Sequence, residues 1–155
     1  MRRKIKKKLK LNPDPLFNSI DIEKFTNYLM WEGEKSTARK VVYQALEEIK
    51  KKTKGDPIAI FQKAIENTSP MIAVRSRRVG GATYQVPKEI PANKRLAMAM
   101  RWIIQAARAK KGKNMVSRLS DELILASKNE GTAVKKKEDT HKMAEANRAF
   151  AHFAW

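Results

Sequence analysis

Apolar positions recur with a helical period over most of the chain. Ile22, Phe25 and Leu29 fall on one side of a helix drawn at about 100° per residue, with Ser19 or Asp21 available as a cap and an expected end near Gly33. After Ser36, Val41, Val42, Ala45, Leu46 and Ile49 make a second stripe, and Glu47, Glu48 and Lys50 to Lys52 lie on its wet side. Asp56-Pro57 reads as an N-cap followed by a first helical position, and Ile60, Phe61, Ala64 and Ile65 supply a short third helix. The period then changes. Residues 72 to 90 are rich in β-branched types and centre on Gly80-Gly81, which can adopt the positive φ values of a tight hairpin turn; Pro87 confines its strand to an edge.

Helical spacing returns after Pro91. Leu96, Met100, Ile103 and Ala107 share a sector, with Trp102 at its core or rim, while Lys94, Arg101, Gln105 and Arg108 gather opposite. Val116, Leu119, Leu123 and Ala126 build a fifth helix that Gly131 can end in a left-handed conformation. A sixth starts after Thr132 and carries Met143, Ala146, Phe150 and Phe153, and Met98, Met100 and Met143 read as core filler. The expected fold is mainly α: about six helices, a protruding β-hairpin at about 72–90, a basic tail over 1–12 and one helical domain over 13–155.

Composition narrows the function classes. The 155 residues suit one domain, and the absence of cysteine excludes disulfides, thiolate zinc sites and a cysteine nucleophile. No run approaches the roughly 18 apolar residues of a membrane span, the basic start is not followed by an apolar signal core, and Pro13-Asp14-Pro15 interrupts any amphipathic targeting helix. Thirty-four Lys and Arg against 16 Asp and Glu leave a net charge of +18, on a chain whose 42% hydrophobic content is enough for a folded core.

Catalytic patterns are absent. His141 and Glu145 share a helix face, yet two ligands do not make a zinc site. Glu47-Glu48, Asp121-Glu122 and Glu138-Asp139 are neighbours whose side chains diverge by about 100° on a helix. Phosphate loop, nucleophile elbow and dinucleotide fingerprint are all missing, so neither an enzyme nor a cofactor is expected. Basic clusters dominate instead: Arg2, Arg3 and Lys4 within Arg2–Lys10; Arg75, Arg77 and Arg78; Lys94, Arg95, Arg101 and Arg108; Lys110, Lys111 and Lys113; and Lys135, Lys136 and Lys137. Any one cluster is an ordinary solvated surface, but five without acidic balance match a polyphosphate backbone. Tyr84 and Trp155 can stack on unpaired bases or pack on their own domain.

Two long strings of mixed composition carry a resemblance: Arg75-Ser-Arg-Arg-Val-Gly-Gly-Ala-Thr-Tyr-Gln-Val-Pro87 and Gly131-Thr-Ala-Val-Lys-Lys-Lys-Glu-Asp-Thr-His-Lys-Met-Ala-Glu-Ala-Asn147. They closely resemble the bacterial and organellar type of the small-subunit ribosomal protein family called S seven, over nearly the whole chain from about Pro13. That resemblance implies a six-helix bundle with a hairpin between the third and fourth helices. It also implies binding to the 3′ major domain of small-subunit ribosomal RNA, nucleation of head assembly, exit-site tRNA and the mRNA path nearby, and neighbouring small-subunit proteins as partners, in a bacterial cytoplasm, plastid or mitochondrial matrix. By the same resemblance Arg2, Arg3, Arg75, Arg77, Arg78, Tyr84 and Lys135 to Lys137 fall where RNA contacts are expected; Lys35 and Arg148 complete the candidate set. The alternative from composition is a histone-like DNA-architectural protein, although the tip Gly80-Gly81-Ala82 offers no intercalating wedge. A metal-dependent nuclease is a further rival.

Overall fold

A computed structural model describes residues 11–153. The tail residues Arg2, Arg3 and Lys4, and Trp155, lie outside that range. In order, the elements are α1 (Ile20–Leu29), α2 (Lys35–Thr53), α3 (Pro57–Thr68), β1 (Ile72–Val79), β2 (Ala82–Glu89), α4 (Ala92–Ala109), α5 (Met115–Ser127), α6 (Thr132–Ala146) and a 3-10 helix (Arg148–Phe153). The mainly helical class with one antiparallel hairpin is as the periodicity predicts. The chain clusters into two compact units that divide between Lys40 and Val41.

In the first unit, Asp14 Oδ2 accepts the N–H groups of Leu16 and Phe17, each at 3.1 Å, and sets the turn before α1. Ile22, Phe25 and Leu29 are buried as their spacing requires. Two details differ from the sequence reading. Ser19 occupies the N-cap position without a side-chain cap bond, and α1 ends four residues before Gly33 because Met30 leaves helical geometry (ψ 139°). Glu32 and Gly33, at φ 48° and 86°, then form a left-handed turn into α2.

In the second unit, Val42, Ala45, Leu46 and Ile49 of α2 are buried, α3 packs on α5, and α4 packs on both α5 and α6. Asp56 caps α3 as its sequence signals, accepting from Ile58 N–H at 3.0 Å with Pro57 in the first turn. Trp102 is buried at the edge of the apolar sector of α4. The hairpin turns on Gly80 and Gly81, both at positive φ (58° and 90°), the backbone that a two-residue primed turn demands.

Three expectations about the last helices need correction. Gly131 does not terminate α5. Asn129 does, at φ 63°, with its N–H on Ala126 O at 3.0 Å and Glu130 N–H on Leu125 O at 2.9 Å, a paired closure of the last carbonyls. Gly131 instead opens α6 at φ 97°. Phe150 and Phe153 are not on α6: Asn147 donates its side-chain amide to Met143 O at 2.7 Å, and the chain tightens into the 3-10 helix. Met143 is 54% exposed rather than core, because only Ala133, Val134 and Ala144 of α6 are buried.

Candidate nucleic-acid interface

The hairpin register separates its arginines. Arg75 stands opposite Val86 and Arg77 opposite Tyr84, so both share one face with Tyr84, whereas Arg78, opposite Thr83, points to the other. Arg75 and Arg78 are exposed and Arg77 is half-buried. Tyr84 is half-buried against Phe150 and Phe153, with ring centroids 5.3 and 5.4 Å away. A short polar pair, Ser76 Oγ donating to Gln85 Oε1 at 3.2 Å, lies on the face of Arg78.

On α4, Lys94, Arg101 and Arg108 are exposed and recur every seven residues, a row with steps of about 10.5 Å along the helix axis. Helix α6 adds to the same surface: Lys136 Nζ donates to Gln105 Oε1 at 2.9 Å and lies 5.9 Å from the centroid of the Trp102 ring. Lys135 is exposed one position earlier. These cations come from helices that α5 separates in the chain, and packing of α4 on α6 makes them one face.

Six further candidates meet anions or carbonyls of the protein. Lys110 Nζ meets the fully buried Glu122 Oε2 at 2.6 Å, Lys113 meets Asp121 at 3.3 Å, and Lys35 pairs with Glu23. Lys137 Nζ donates to Asn67 O at 2.6 Å, at the end of α3, where a cation complements exposed carbonyls. Arg95 Nε donates to Ile90 O at 2.6 Å and ties α4 to the hairpin exit, while Arg148, largely exposed, pairs with Glu145 at 3.4 Å. Lys111 is exposed.

Several residues to which the sequence reading gave no such role hold this arrangement. Arg118 Nη1 donates to Lys110 O at 2.6 Å and fixes the basic connector. Asn67 donates to the carbonyls of Ala126 and Ser127 at 2.9 and 3.0 Å. Glu122 accepts from Ala133 N–H at 3.0 Å and Thr132 Oγ1 at 3.2 Å, and so caps α6. The available signal was Gly131 itself, since a helix that opens on glycine needs its N–H groups satisfied from elsewhere.

The divergence expected of neighbouring carboxylates is visible at Asp121 and Glu122. Asp121 faces Lys52, at 2.7 Å, while Glu122 points inward to Lys110. Hydrogen bonding to Lys52 holds the Asp121 carboxyl below its ordinary 3.8 against the opposing effect of burial, with Lys113 assisting. At Glu48 burial pushes the carboxyl up, but donation from Ser120, Ser117 and Lys52 outweighs it and leaves the value below 4.5. Glu23 is lowered chiefly by its bond to Lys35, and Lys52 is raised chiefly by its bond to Asp121. The three depressed carboxyls therefore contribute stability that is fully present above about pH 4.5 and is lost as pH falls through their folded values. Raising Lys52 has the opposite sign and is lost only in alkali. The urea midpoint should hold from about pH 8 to pH 5 and decline toward pH 3, less steeply in Asp121→Asn; an equal decline in that variant would refute the assignment.

His141 accepts the Met71 N–H at Nε2, 3.1 Å away, and no group of three His, Asp or Glu residues able to hold a metal occurs among the described residues. Among the same residues no helix is long and apolar enough to cross a membrane. The described residues form a mainly helical scaffold with a cationic display, the electrostatic footprint of a protein class that meets polyanions.

Comparison with known proteins gives the particular family. The chain matches the profile described as Ribosomal protein S7p/S5e over residues 1–148. Relatives bearing the name small ribosomal subunit protein uS7 are 56% identical in Petrotoga mobilis and 54% in Thermotoga maritima, each over 155 residues and the full length of both chains. Another, in a Chelativorans species, is 55% identical over 154 residues, 99% of each chain. The protein belongs to this family of small-subunit ribosomal proteins, which locates it in the ribosome as a component of translation. Its relatives are ribosomal structural proteins, which sets aside the nuclease and DNA-architectural readings.

Proposed function

We propose that the protein binds the 3′ major domain of small-subunit ribosomal RNA, nucleates assembly of the subunit head, and lies near exit-site tRNA and the mRNA path among neighbouring ribosomal proteins. The observation that carries this reading is the ribbon of Arg75, Arg77 and Arg78 around a Gly80-Gly81 tip. A twisted two-stranded ribbon can enter a groove or junction that a rounded helical surface cannot, and guanidinium groups give directed phosphate contacts there. The row Lys94, Arg101 and Arg108, with Lys111, Lys135 and Lys136, supplies phosphate attraction that fixes position without reading sequence. The tail residues Arg2, Arg3 and Lys4 add to that attraction. Lys35, Lys110, Lys113 and Lys137 contribute less, since each already meets an anion or carbonyl of the protein.

Binding one RNA arrangement better than its competitors lowers that arrangement's free energy, which is how a protein without catalytic groups directs assembly. Chemical footprinting of small-subunit RNA with and without the protein tests the reading. Protection confined to the 3′ major domain is expected, surviving competition by duplex DNA of equal length. Protection scattered over all domains, or equal displacement by the duplex, would remove it.

A further inference from the structure

We propose that the C-terminal 3-10 helix is a latch that fixes the direction of the arginine ribbon, with Tyr84, Phe150 and Phe153 as positioning residues. The proposal rests on the reading of that ribbon as an RNA contact.

Two antiparallel strands alone are marginal in water, so the ladder of β1 and β2 does not by itself hold a direction. The ribbon is gripped by α6 at its base and by the 3-10 helix nearer its tip. Met71 N–H, just before β1, donates to His141 Nε2 on α6. On β2, Tyr84 meets two aromatic rings at 5.3 and 5.4 Å, with interplanar angles of 48° and 37°, a tilted geometry favourable for aromatic pairs. The 3-10 geometry makes this double contact possible. At three residues per turn, residues i and i+3 eclipse, so Phe150 and Phe153 present their rings as a pair to one partner. Asn147 ends α6 at the required point, and Phe150 N–H closes the tighter turn on Asn147 O at 3.0 Å. The His152 ring, 4.0 Å from that of Phe153 and with Nδ1 2.9 Å from Ala149 O, supports the second ring.

Register connects this packing to the cations. Tyr84 is the direct cross-strand neighbour of Arg77, and Arg75 lies on the same face two residues away. A ring held by the 3-10 helix therefore holds β2, and through the ladder it orients β1, which carries these guanidinium groups. Affinity for a partner falls by the fraction of time the competent orientation is populated, so a loosened ribbon binds less tightly with every cation still present.

The test uses the full chain with Phe150→Ala and Phe153→Ala together, which leaves Tyr84 and every basic residue unchanged. We expect about tenfold weaker binding to a 3′ major domain fragment, faster amide exchange in β1 and β2 with α4 and α5 unaltered, and unchanged binding to random RNA of equal length. Phe150→Tyr with Phe153→Tyr should restore both readouts. Tyr84→Leu should reproduce the two losses from the ribbon side, which keeps the test intact if the alanine pair folds poorly. Parental affinity in the alanine pair, or weaker binding with no change in ribbon exchange, overturns the latch. If the unmodified protein shows no preference for the 3′ major domain, the underlying RNA reading fails instead.

Discussion

Replacing Glu122 by alanine is expected to cost about 2 to 3 kcal/mol of stability, chiefly because the buried Ala133 N–H loses its acceptor, with a smaller loss at Lys110, whose side chain is 32% exposed and can turn to water. At roughly 2 to 4 °C per kcal/mol for a chain of this size, the melting midpoint should fall by about 8 °C. The carboxylate is fully buried and performs two tasks. It neutralises Lys110, 2.6 Å away, and it accepts the Ala133 N–H at the start of a helix whose N-cap position is a glycine. Glu122→Gln separates the two, because an amide oxygen can still accept from Ala133 while the charge is gone; its loss should be intermediate. Gly131 is tied to the same carboxylate. At φ 97°, a Cβ there would lie 3.1 Å from Glu122 Oε1 and 3.2 Å from Leu125 Cβ, so Gly131→Ala should also destabilise and should not add simply to Glu122→Ala. Thermal unfolding followed by circular dichroism measures each of these variants. A loss below about 1 kcal/mol for Glu122→Ala would mean that the carboxylate is replaceable by water.

Replacing Arg75, Arg77 and Arg78 together by alanine is expected to weaken binding to the 3′ major domain about 100-fold at physiological salt, taking about 1 kcal/mol for each arginine. The slope of log affinity against log salt should shrink by about 2 to 3, near 0.7 to 0.9 for each phosphate that is no longer neutralised. The melting midpoint should move little, since Arg75 and Arg78 are exposed and the apolar anchors of the ribbon, Val86 and Tyr84, are unchanged. Anisotropy titrations at several potassium chloride concentrations read the first two quantities. The register sharpens the test: Arg75 and Arg77 share one face and Arg78 has the other. If RNA meets only one face, either Arg78→Ala or the Arg75→Ala/Arg77→Ala pair will be silent. Unchanged affinity in the triple variant defeats the assignment of the ribbon.

Much of the architecture was legible because the signals that write it are local. Gly80-Gly81 marks a turn since few other residues accept two successive positive φ values, and Asp56-Pro57 marks a helix start because a carboxylate and a fixed φ both suit that position. Helix ends were less legible. Asn129 and Gly131 both tolerate left-handed backbone, and only the bonds to Leu125 and Ala126 reveal which one closes α5. Phe150 and Phe153 fit a helical period equally well as α or 3-10, and the ring of Tyr84 distinguishes them.

The candidate interface divides along the same line. That the surface is cationic, and which segments are basic, followed from composition and from periods of two and 3.6 residues, which assign each side chain to a face without reference to distant parts of the chain. Which cations face outward was decided by tertiary structure. Lys110 and Lys111 are sequence neighbours, yet one closes on Glu122 and the other stays exposed, and Lys136 joins the α4 face while Lys137 turns to Asn67. A charge finds its partner through space, and the packing of α3, α4, α5 and α6 determines which carboxylate or carbonyl lies within reach.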